Sequence, residues 1–334
     1  MFFEFILIFL ISLVLINLIQ KKATLFGLID IPNARSSHIH TTPRGAGIGF
    51  YLAVILVLAL FHFDIILSYL WTALAIGCVF IVGVLDDYHD TSPKAKFLII
   101  FLSTFLLSLD NIVISELGTF FGYELSLGWL ALPFTAFALV AFTNALNLID
   151  GLDGLAATIS IVILSTFFTI GYENDDFFIM LLSGAFISSL LAFLLFNWHP
   201  ASIFMGDSGS LTLGFIISVL AIKSLLYIPA ISILFLAAIP ILDTFIVVML
   251  RRRSGRSVFS ADRCHIHHVL KQFFSDSTQK TVIFLVSIQL IYSLIGLQLD
   301  KSMHEGYLLV FFIFNIFFFY RLISNLIKKQ KREC

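Results

Sequence analysis

Long apolar segments separated by short polar ones run through this sequence from end to end. A membrane-spanning helix needs about 20 predominantly apolar residues, and many of the apolar segments approach that length. The pattern predicts an all-α, polytopic integral membrane helical bundle that forms a single domain over residues 1–334. About 11 transmembrane helices are expected from this length rule, at residues 2–20, 46–63, 65–85, 95–109, 128–148, 154–171, 177–197, 209–222, 226–250, 281–298 and 306–327.

The composition supports a membrane protein. Hydrophobic residues make up 59% of the chain, 38 residues are Phe, and the mean hydropathy is +1.02. Soluble domains contain about 45–50% apolar residues. The formal net charge of −1 carries no signal for nucleic-acid binding, so we expect membrane lipid and no nucleic acid among the partners.

Basic residues predict the orientation of the helices, because cytoplasmic loops of membrane proteins are enriched in Lys and Arg. With the N-terminus outside, only Lys223 and Lys301 of the 20 basic residues lie outside. The tail KKQKREC then lies inside. We therefore expect an external N-terminus and a cytoplasmic C-terminus.

Polar motifs collect on the predicted inner side. Ionisable groups at a membrane edge are costly, so they usually face a cavity and mark a functional site. Such groups occur here in residues 21–45, 86–94, 144–154, 198–208 and 251–280. We expect one polar cleft that opens to the cytoplasm and borders the lipid. A cleft of that kind suits a reaction between a water-soluble substrate and a membrane-dissolved one.

The segment VLDDYHDTSPKAK places three carboxylates beside an apolar span. Asp86, Asp87 and Asp90 would share one side of a helix, because residues three or four positions apart are neighbours there. Carboxylates that close repel each other unless a cation or a proton lies between them. Mg²⁺ is commonly held by one or two carboxylates plus substrate phosphates. The alternative, a solvated helix end before Pro93, applies most readily to Asp90.

In NALNLIDGLDGLA, four polar side chains recur every three residues, namely Asn144, Asn147, Asp150 and Asp153. Two glycines in the same run break the helix or allow close backbone approach. Amide and carboxylate groups held near such turns can bind the edge of a base or the hydroxyls of a ribose. The alternative is a polar turn that only joins two helices.

The segment FMGDSGSLTLG places Asp207 at the expected start of a helix. Asp207 or Ser208 could act as a simple N-cap. The positive N-terminus of the helix would also favour a phosphate nearby. Metal or phosphate chemistry is our preferred interpretation of Asp207.

Basic side chains cluster in DRCHIHHVL. His265, His267 and His268 are residue types that bind zinc, but no Cys pair accompanies them. The other motifs are rich in carboxylates, which favours Mg²⁺. We therefore prefer diphosphate binding by Arg263 and the histidines, with a purely structural His turn as the alternative.

Three other functions compete with this interpretation. An intramembrane prenyltransferase would use the DDxxD spacing for a magnesium site, but it leaves GDSGS and HIHH without a role. A CDP-alcohol phosphotransferase needs an Arg that DGLDGLAAT lacks. A transporter would place its charges at mid-span and show an inverted repeat, whereas these charges lie at the ends of the predicted helices.

Taken together, the motifs resemble the polyprenyl-phosphate N-acetylhexosamine-1-phosphate transferase family, the MraY/WecA group, also called glycosyltransferase family 4. The resemblance rests on DIPNARSSH…TPRGAG, GVLDDYHDTSPKAK, NALNLIDGLDGLA, FMGDSGSL and PILDT…RRRSGRSVFSADRCHIHH, in that order. The His-x-His-His form and RSSH…TPRG look more like the branch that initiates O-antigen and teichoic-acid synthesis than the peptidoglycan branch.

The resemblance implies a phosphotransferase of the bacterial inner membrane with its active site on the cytoplasmic face. A UDP-N-acetyl amino sugar (GlcNAc, GalNAc, FucNAc or QuiNAc) would donate its sugar 1-phosphate to undecaprenyl phosphate, with release of UMP. Mg²⁺, or Mn²⁺ in its place, would be required. The choice of sugar, the glycan pathway and a homodimer are left open.

The same resemblance assigns roles to individual residues. Asp207 would be the main metal ligand, and Asp86 would join it while acting with Asp87 as a catalytic carboxylate. Lys96 resembles the basic residue that follows the acidic pair. The uridine-side contacts would be Asn147, Asp150 and Asp153, and the catalytic and diphosphate contacts would be His265, His267 and His268. From their place in the motifs, we add Asn144 and Arg263 to the candidate nucleotide-sugar contacts.

Overall fold

A computed structural model of the chain describes residues 1–32, 41–89, 91–257, 264–299 and 304–330. Within these ranges the chain forms fourteen α-helices, so the predicted all-α bundle is confirmed. The helices are α1 (Phe2–Phe26), α2 (Ala46–Phe61), α3 (Phe63–Ser68), α4 (Leu70–His89), α5 (Pro93–Leu109), α6 (Ala131–Ile149), α7 (Leu155–Glu173), α8 (Phe177–Asn197), α9 (Asp207–Ser224), α10 (Ala230–Leu236), α11 (Ala238–Arg253), α12 (Ile266–Phe273), α13 (Thr278–Leu297) and α14 (Glu305–Lys329).

Two short antiparallel hairpins accompany the helices. In the first, β1 (Ile29–Asp30) pairs with β2 (Thr42–Pro43), and Asp30 lies opposite Thr42. In the second, β3 (Glu116–Phe120) pairs with β4 (Tyr123–Ser126). A 3-10 turn at Gly128–Leu130 leads from the second hairpin into α6.

The helix lengths revise the number of spans. Eight helices are long and apolar enough to cross a membrane, and a ninth span results if α10 and α11 count as one helix bent by 85°. The spans predicted at 46–63 and 95–109 correspond to α2 and α5, which have 16 and 17 residues. Helices of that length measure about 24–26 Å, less than the hydrocarbon thickness of about 30 Å. By length and composition the described residues support eight or nine spans, and the prediction of about eleven is not confirmed.

Helix α9 lies at the centre of the bundle and packs against α2, α4, α6 and α7. Of its residues, only Asp207 and Lys223 are not buried. Helices α1 and α14 instead expose large apolar side chains such as Phe3 and Phe314, as expected for surfaces that face lipid. A helix enclosed by other helices can hold polar side chains away from lipid.

The turns that join α4 to α5, α6 to α7 and α8 to α9 lie at the same end of the bundle, here called the site end. Hydrogen bonds across the bundle demonstrate this, because Asp207 contacts Asp87 and Asn147, and Asp153 contacts His199. The opposite end, here called the far end, carries the turn at 174–176 and the hairpin β3–β4. The polar motifs at 86–87, 144–154 and 198–208 therefore gather in one place.

Helix α4 approaches the start of α9 very closely at a glycine. A Cβ atom added to Gly83 would lie 2.5 Å from the carbonyl oxygen of Asp207 and 2.7 Å from the Cα atom of Ser208. Only a residue without a side chain fits such a gap. The contact places the next turn of α4, with Asp86 and Asp87, beside the N-terminus of α9.

Candidate active site

A cavity of about 310 Å³ opens at the site end. Its walls are predominantly polar, and five of the lining side chains are Asp. The lining residues are Asp30, Arg44, Asp87, Asn147, Asp150, Gly151, Leu152, Asp153, Asn197, Phe204, Gly206, Asp207, Ser210 and His268. The sequence predicted that separate motifs meet in one polar cleft, and this cavity is lined by residues from those motifs.

Asp87 caps the N-terminus of α9. Its buried carboxylate accepts the backbone N–H groups of Asp207 (2.8 Å) and Ser208 (3.1 Å). The N-cap residue of α9 is Gly206, which has no side chain to fill this role. The sequence indicated Asp207 or Ser208 as candidate capping residues, but Asp87 of α4 supplies the capping carboxylate. Each of its two oxygens accepts one backbone N–H group.

Lys96 joins two carboxylates from different helices. Its ammonium lies 2.8 Å from Oδ2 of Asp86 and also pairs with Oδ2 of Asp207. Thr91 donates its hydroxyl to Oδ1 of Asp86 at 2.7 Å. The first turn of α5 thus supplies the cation that neutralises part of the acidic cluster.

Asn147 fixes the other side of Asp207. Its amide Nδ2 donates to Oδ1 of Asp207 at 3.0 Å and to the hydroxyl of Ser210 at 2.8 Å. Asn144, one turn earlier on α6, is half-buried and is not among the residues that line the cavity. The structure therefore brings Asn147, and not Asn144, to the site.

Asp150 lies in the turn between α6 and α7 and lines the cavity. Burial raises the pKa of its carboxyl to about 7. The negative charges of Asp207 and Asp153 act in the same direction. We therefore expect the carboxyl of Asp150 to titrate near neutral pH.

Asp153 is held by the turn that precedes α9. Its Oδ2 lies 2.7 Å from Nδ1 of His199 and accepts the backbone N–H of Ala201 at 3.1 Å. Buried Asn197 stabilises the same region, because it accepts the N–H of Gly154 (2.9 Å) and donates to the carbonyl of Ile203 (3.0 Å). No role was predicted from the sequence for His199 or Asn197, although both residues lie just before the FMGDSGS motif.

Asp243 is a third residue for which the sequence predicted no role. Its Oδ2 lies 2.6 Å from Nδ1 of His265, and its Oδ1 accepts the backbone N–H of Ile266 at 2.6 Å. Both side chains are buried. The sequence contains a sign of this role: Asp243 is a single acidic residue within an apolar segment, and acids inside a membrane usually have a partner.

The three histidines occupy different positions. His268 lines the cavity, while His267 is buried behind it against Gly151, where an added Cβ would lie 2.4 Å from Nε2 of His267. Burial lowers the pKa of His267 well below its usual value, and His268 and His265 add to the effect. The lowered pKa favours the neutral form of the His267 imidazole.

Two further lining residues come from the first hairpin. Asp30 of β1 and Arg44, directly after β2, face the cavity. Both belong to the DIPNARSSH…TPRGAG motif, in which no single residue had been assigned. Arg263 and Asp90, which were named in the sequence predictions, lie outside the described residues.

The donor groups fit a divalent cation shared with a substrate. Among the described residues, no group of three or more His, Cys, Asp or Glu side chains could enclose a metal alone. Two carboxylates, from Asp86 and Asp207, nevertheless converge on the single ammonium of Lys96. Mg²⁺ commonly takes one or two carboxylates and completes its shell with phosphates and water. Asp207 and Asp86 are thus the residues that could hold it.

The sequence is similar to curated proteins over nearly its whole length. The profile of glycosyl transferase family 4 matches residues 68–225. A Bacillus subtilis protein named "Probable undecaprenyl-phosphate N-acetylglucosaminyl 1-phosphate transferase" is 33% identical over 332 residues, which cover 96% of this chain and 90% of the relative.

Two enterobacterial relatives carry the name "Undecaprenyl-phosphate alpha-N-acetylglucosaminyl 1-phosphate transferase". The Yersinia pestis protein is 31% identical over 302 residues, covering 86% of this chain and 81% of the relative. The Escherichia coli K12 protein is 29% identical over 348 aligned positions, covering 99% and 94%. The family profile contains the carboxylates from Asp86 to Asp207, while Asp243, His265, His267 and His268 lie beyond it.

Proposed function

The chain belongs to glycosyl transferase family 4, and from that premise we propose that it transfers an N-acetylhexosamine 1-phosphate group from a UDP-N-acetyl sugar to undecaprenyl phosphate. An oxygen of the lipid phosphate forms a bond to the phosphorus that carries the sugar. The bond from that phosphorus to the UMP oxygen breaks, and UMP leaves with the electron pair. The names of the relatives support N-acetylglucosamine as the first sugar to test.

The observation that carries this proposal is the acid-rich cavity beside a lysine-bridged carboxylate pair. A cavity of about 310 Å³ has room for part of a nucleotide sugar. Asn147, Asp150 and Asp153 offer amide and carboxyl groups for the N–H and O–H groups of a nucleoside. Their fixed partners, Ser210 for Asn147 and His199 for Asp153, favour a preformed binding surface.

The diphosphate of the donor needs positive charge, because the cavity walls are mainly acidic. Arg44 and His268 line the cavity and offer donors for phosphate oxygens. Mg²⁺ held by Asp207 and Asp86 would neutralise the negative charge that develops on the phosphate oxygens during transfer. Lys96 lies next to both carboxylates and adds a further cation.

The acceptor phosphate would arrive from the lipid along α5. This helix carries Lys96 near its start and exposes Leu98 and Phe101 further along. A lipid phosphate has a second pKa of about 6, so it is already largely ionised at neutral pH. We therefore propose direct attack by the lipid phosphate, without a covalent intermediate on Asp86. Phosphorylated Asp86, recovered after incubation with UDP-sugar alone, would contradict the direct mechanism.

The chain is a multi-pass membrane protein, and we place its site end at the cytoplasmic face of the bacterial inner membrane. Basic residues support this orientation, because Arg251, Arg252 and Arg253 end α11 and Lys328 and Lys329 end α14. Gln330 contacts the carbonyl of Val269 in α12, so the end of α14 lies near the histidines. UDP-sugars are water-soluble, and this orientation would expose the cavity to them.

The test is release of UMP by the purified protein in detergent or vesicles. We expect release only when a UDP-N-acetyl sugar, Mg²⁺ and undecaprenyl phosphate are all present. A panel of donors with GlcNAc, GalNAc, FucNAc and QuiNAc identifies the sugar. Asp207→Asn should lower the rate on the order of 10²-fold or more, whereas Asp175→Asn, in an exposed far-end turn, should not.

Two results would overturn the proposal. UMP release that does not depend on the lipid phosphate would indicate hydrolysis, and no release with any UDP-sugar would exclude this reaction class. Transfer of a prenyl group would instead support the prenyltransferase alternative, in which the DDxxD spacing binds the diphosphate of the donor.

A further inference from the structure

Lys96 occupies the place where two carboxylates from different helices meet. Its ammonium lies 2.8 Å from Asp86 of α4 and also pairs with Asp207 of α9. All three side chains have restricted exposure, so solvent screens these charges less than it would at an open surface. A single positive charge therefore serves two carboxylates.

We propose that Lys96 is a built-in substitute for the divalent cation: it bridges Asp86 and Asp207 until Mg²⁺ binds, and then releases them and turns to the substrate phosphates. This inference rests on the proposed function, because it assigns the released ammonium to the diphosphate and lipid phosphate of that reaction. The exchange itself requires only the protein and the metal.

The charges favour such an exchange. When both carboxylates are ionised, one ammonium leaves the pair with a net negative charge, whereas a divalent cation balances it. Hard carboxylate oxygens suit Mg²⁺. The lysine ammonium is a compact charge on a flexible four-carbon chain, so it can move several ångströms without any change in the backbone.

The surrounding contacts keep the carboxylates in place while Lys96 moves. Asn147 holds the second oxygen of Asp207, and Thr91 holds the second oxygen of Asp86. Asp87, the remaining acid of this group, is engaged by the backbone of α9. Asp86 and Asp207 would therefore stay in place as the residues that hold Mg²⁺ after Lys96 moves.

The first test measures Mn²⁺ binding by electron paramagnetic resonance, without UDP-sugar or lipid phosphate. If Lys96 competes with the metal, Lys96→Met should bind Mn²⁺ on the order of tenfold more tightly than the wild type. Lys94→Met is the matched control, because Lys94 is exposed on the same turn of α5. It should change the affinity by less than about twofold. Unchanged or weaker binding by Lys96→Met overturns the proposal.

A charge-conserving variant separates occupation of the site from simple repulsion of the metal. The guanidinium of Lys96→Arg can bind carboxylates in a bidentate manner, so we expect it to bind Mn²⁺ several-fold more weakly than the wild type. If Lys94→Met reproduced the gain of Lys96→Met, or if Lys96→Arg matched the wild type, the effect would be general repulsion. That outcome would overturn the exchange.

A second measurement follows Lys96 itself in the unmodified protein. Release from the carboxylates should make its amine more reactive, so Mg²⁺ should increase acylation of Lys96 several-fold relative to Lys94, measured by mass spectrometry. Equal or lower acylation with Mg²⁺ contradicts the exchange. Thermal unfolding of each variant identifies any that has lost its fold, and the acylation test stands without variants.

These outcomes are distinguishable from failure of the proposed function. If Lys96→Met binds Mn²⁺ more tightly but the wild type releases no UMP, the exchange of Lys96 for the metal is supported and the proposed reaction is rejected. Lipid-dependent UMP release together with unchanged Mn²⁺ binding and acylation would keep the reaction and reject the exchange.

Discussion

At the scale of single residues, the acidic side chains of the site differ in what holds them. Asp87 accepts two backbone N–H groups, Asp207 and Asp86 share Lys96, and Asp153 pairs with His199. Asp150 has a raised pKa because it is buried among other carboxylates. Neighbouring acids in one cavity can therefore carry different charges and perform different tasks.

Asp87 should contribute to stability as well as to any chemistry. Asp87→Ala removes the acceptor for two N–H groups at the start of α9, and we expect the free energy of unfolding to fall by about 1–2 kcal/mol. The loss should be visible as a lower unfolding temperature in detergent. Asp64→Ala, at an exposed far-end position, is the control for loss of an acidic charge. Equal unfolding temperatures for the wild type and Asp87→Ala would argue against capping.

Asp150 should make stability depend on pH. Its pKa is raised from 3.8 to about 7 in the folded protein, so between these values the folded state binds more protons than the unfolded state. The contribution to stability is therefore present below about pH 4 and is lost as the pH rises through about 7.

Replacing Asp150 by Asn should remove this dependence. In metal-free buffer we expect Asp150→Asn to unfold at a higher temperature than the wild type at about pH 8, with the difference shrinking towards about pH 5. Mg²⁺ should reduce the difference, because a nearby cation favours the ionised carboxyl. A constant difference across this pH range would contradict the raised pKa.

At the scale of helices, close packing between α4 and α9 positions the site. The start of α9 is held by Asp87 on one side and by Asn147 of α6 on another. A displacement of α9 relative to α4 would separate Asp86 from Asp207 and break the bridge through Lys96. The site can therefore form only if α4 and α9 keep this short distance.

Gly83→Ala tests this packing. The added Cβ would lie 2.5 Å from the carbonyl oxygen of Asp207, so α9 would have to shift. We expect destabilisation by about 1–3 kcal/mol together with reduced UMP release.

Gly77→Ala is the matched control on α4, because its nearest neighbour would be the Tyr51 hydroxyl at 3.9 Å. It should be neutral, or stabilising by up to about 1 kcal/mol. Similar unfolding temperatures for the two variants would contradict the role of Gly83.

At the scale of the whole molecule, the two ends of the bundle differ in where basic residues and the polar cavity lie. The site end contains the acidic cavity and the basic ends of α11 and α14. The far end carries a hairpin with exposed aromatic side chains, among them Phe121 and Tyr123. This asymmetry predicts which end faces the cytoplasm.

Thiol labelling in intact cells tests the orientation. A Cys introduced at Glu124, in the exposed far-end hairpin, should react with a membrane-impermeant reagent added outside. A Cys at Lys280, exposed at the site end, should react only after the membrane is opened. The unaltered protein gives the background from its own cysteines. The reverse labelling pattern would place the cavity outside and contradict the proposed use of cytoplasmic UDP-sugars.

Much of the site could be located from the sequence, because ionisable residues near the ends of apolar segments are rare and costly. That rule selected Asp86, Asp150 and Asp207 as candidates, and the order of the motifs indicated the family. The helix lengths do not confirm the predicted count of about eleven spans, because hydropathy does not show that α2 and α5 have only 16 and 17 residues. The predicted site residues also included Asn144, which lies one helical turn before Asn147, the residue that lines the cavity.

The sequence by itself determined the membrane class, the helical architecture and the segments that meet in the cavity, since these depend on local hydrophobicity and on antiparallel neighbours. The tertiary structure alone decided the partners: Asp87 with the backbone of α9, Lys96 between Asp86 and Asp207, and Asp243 with His265. Each partnership joins residues from separate helices. Such contacts depend on which helices pack together and how closely, and no local pattern encodes that distance.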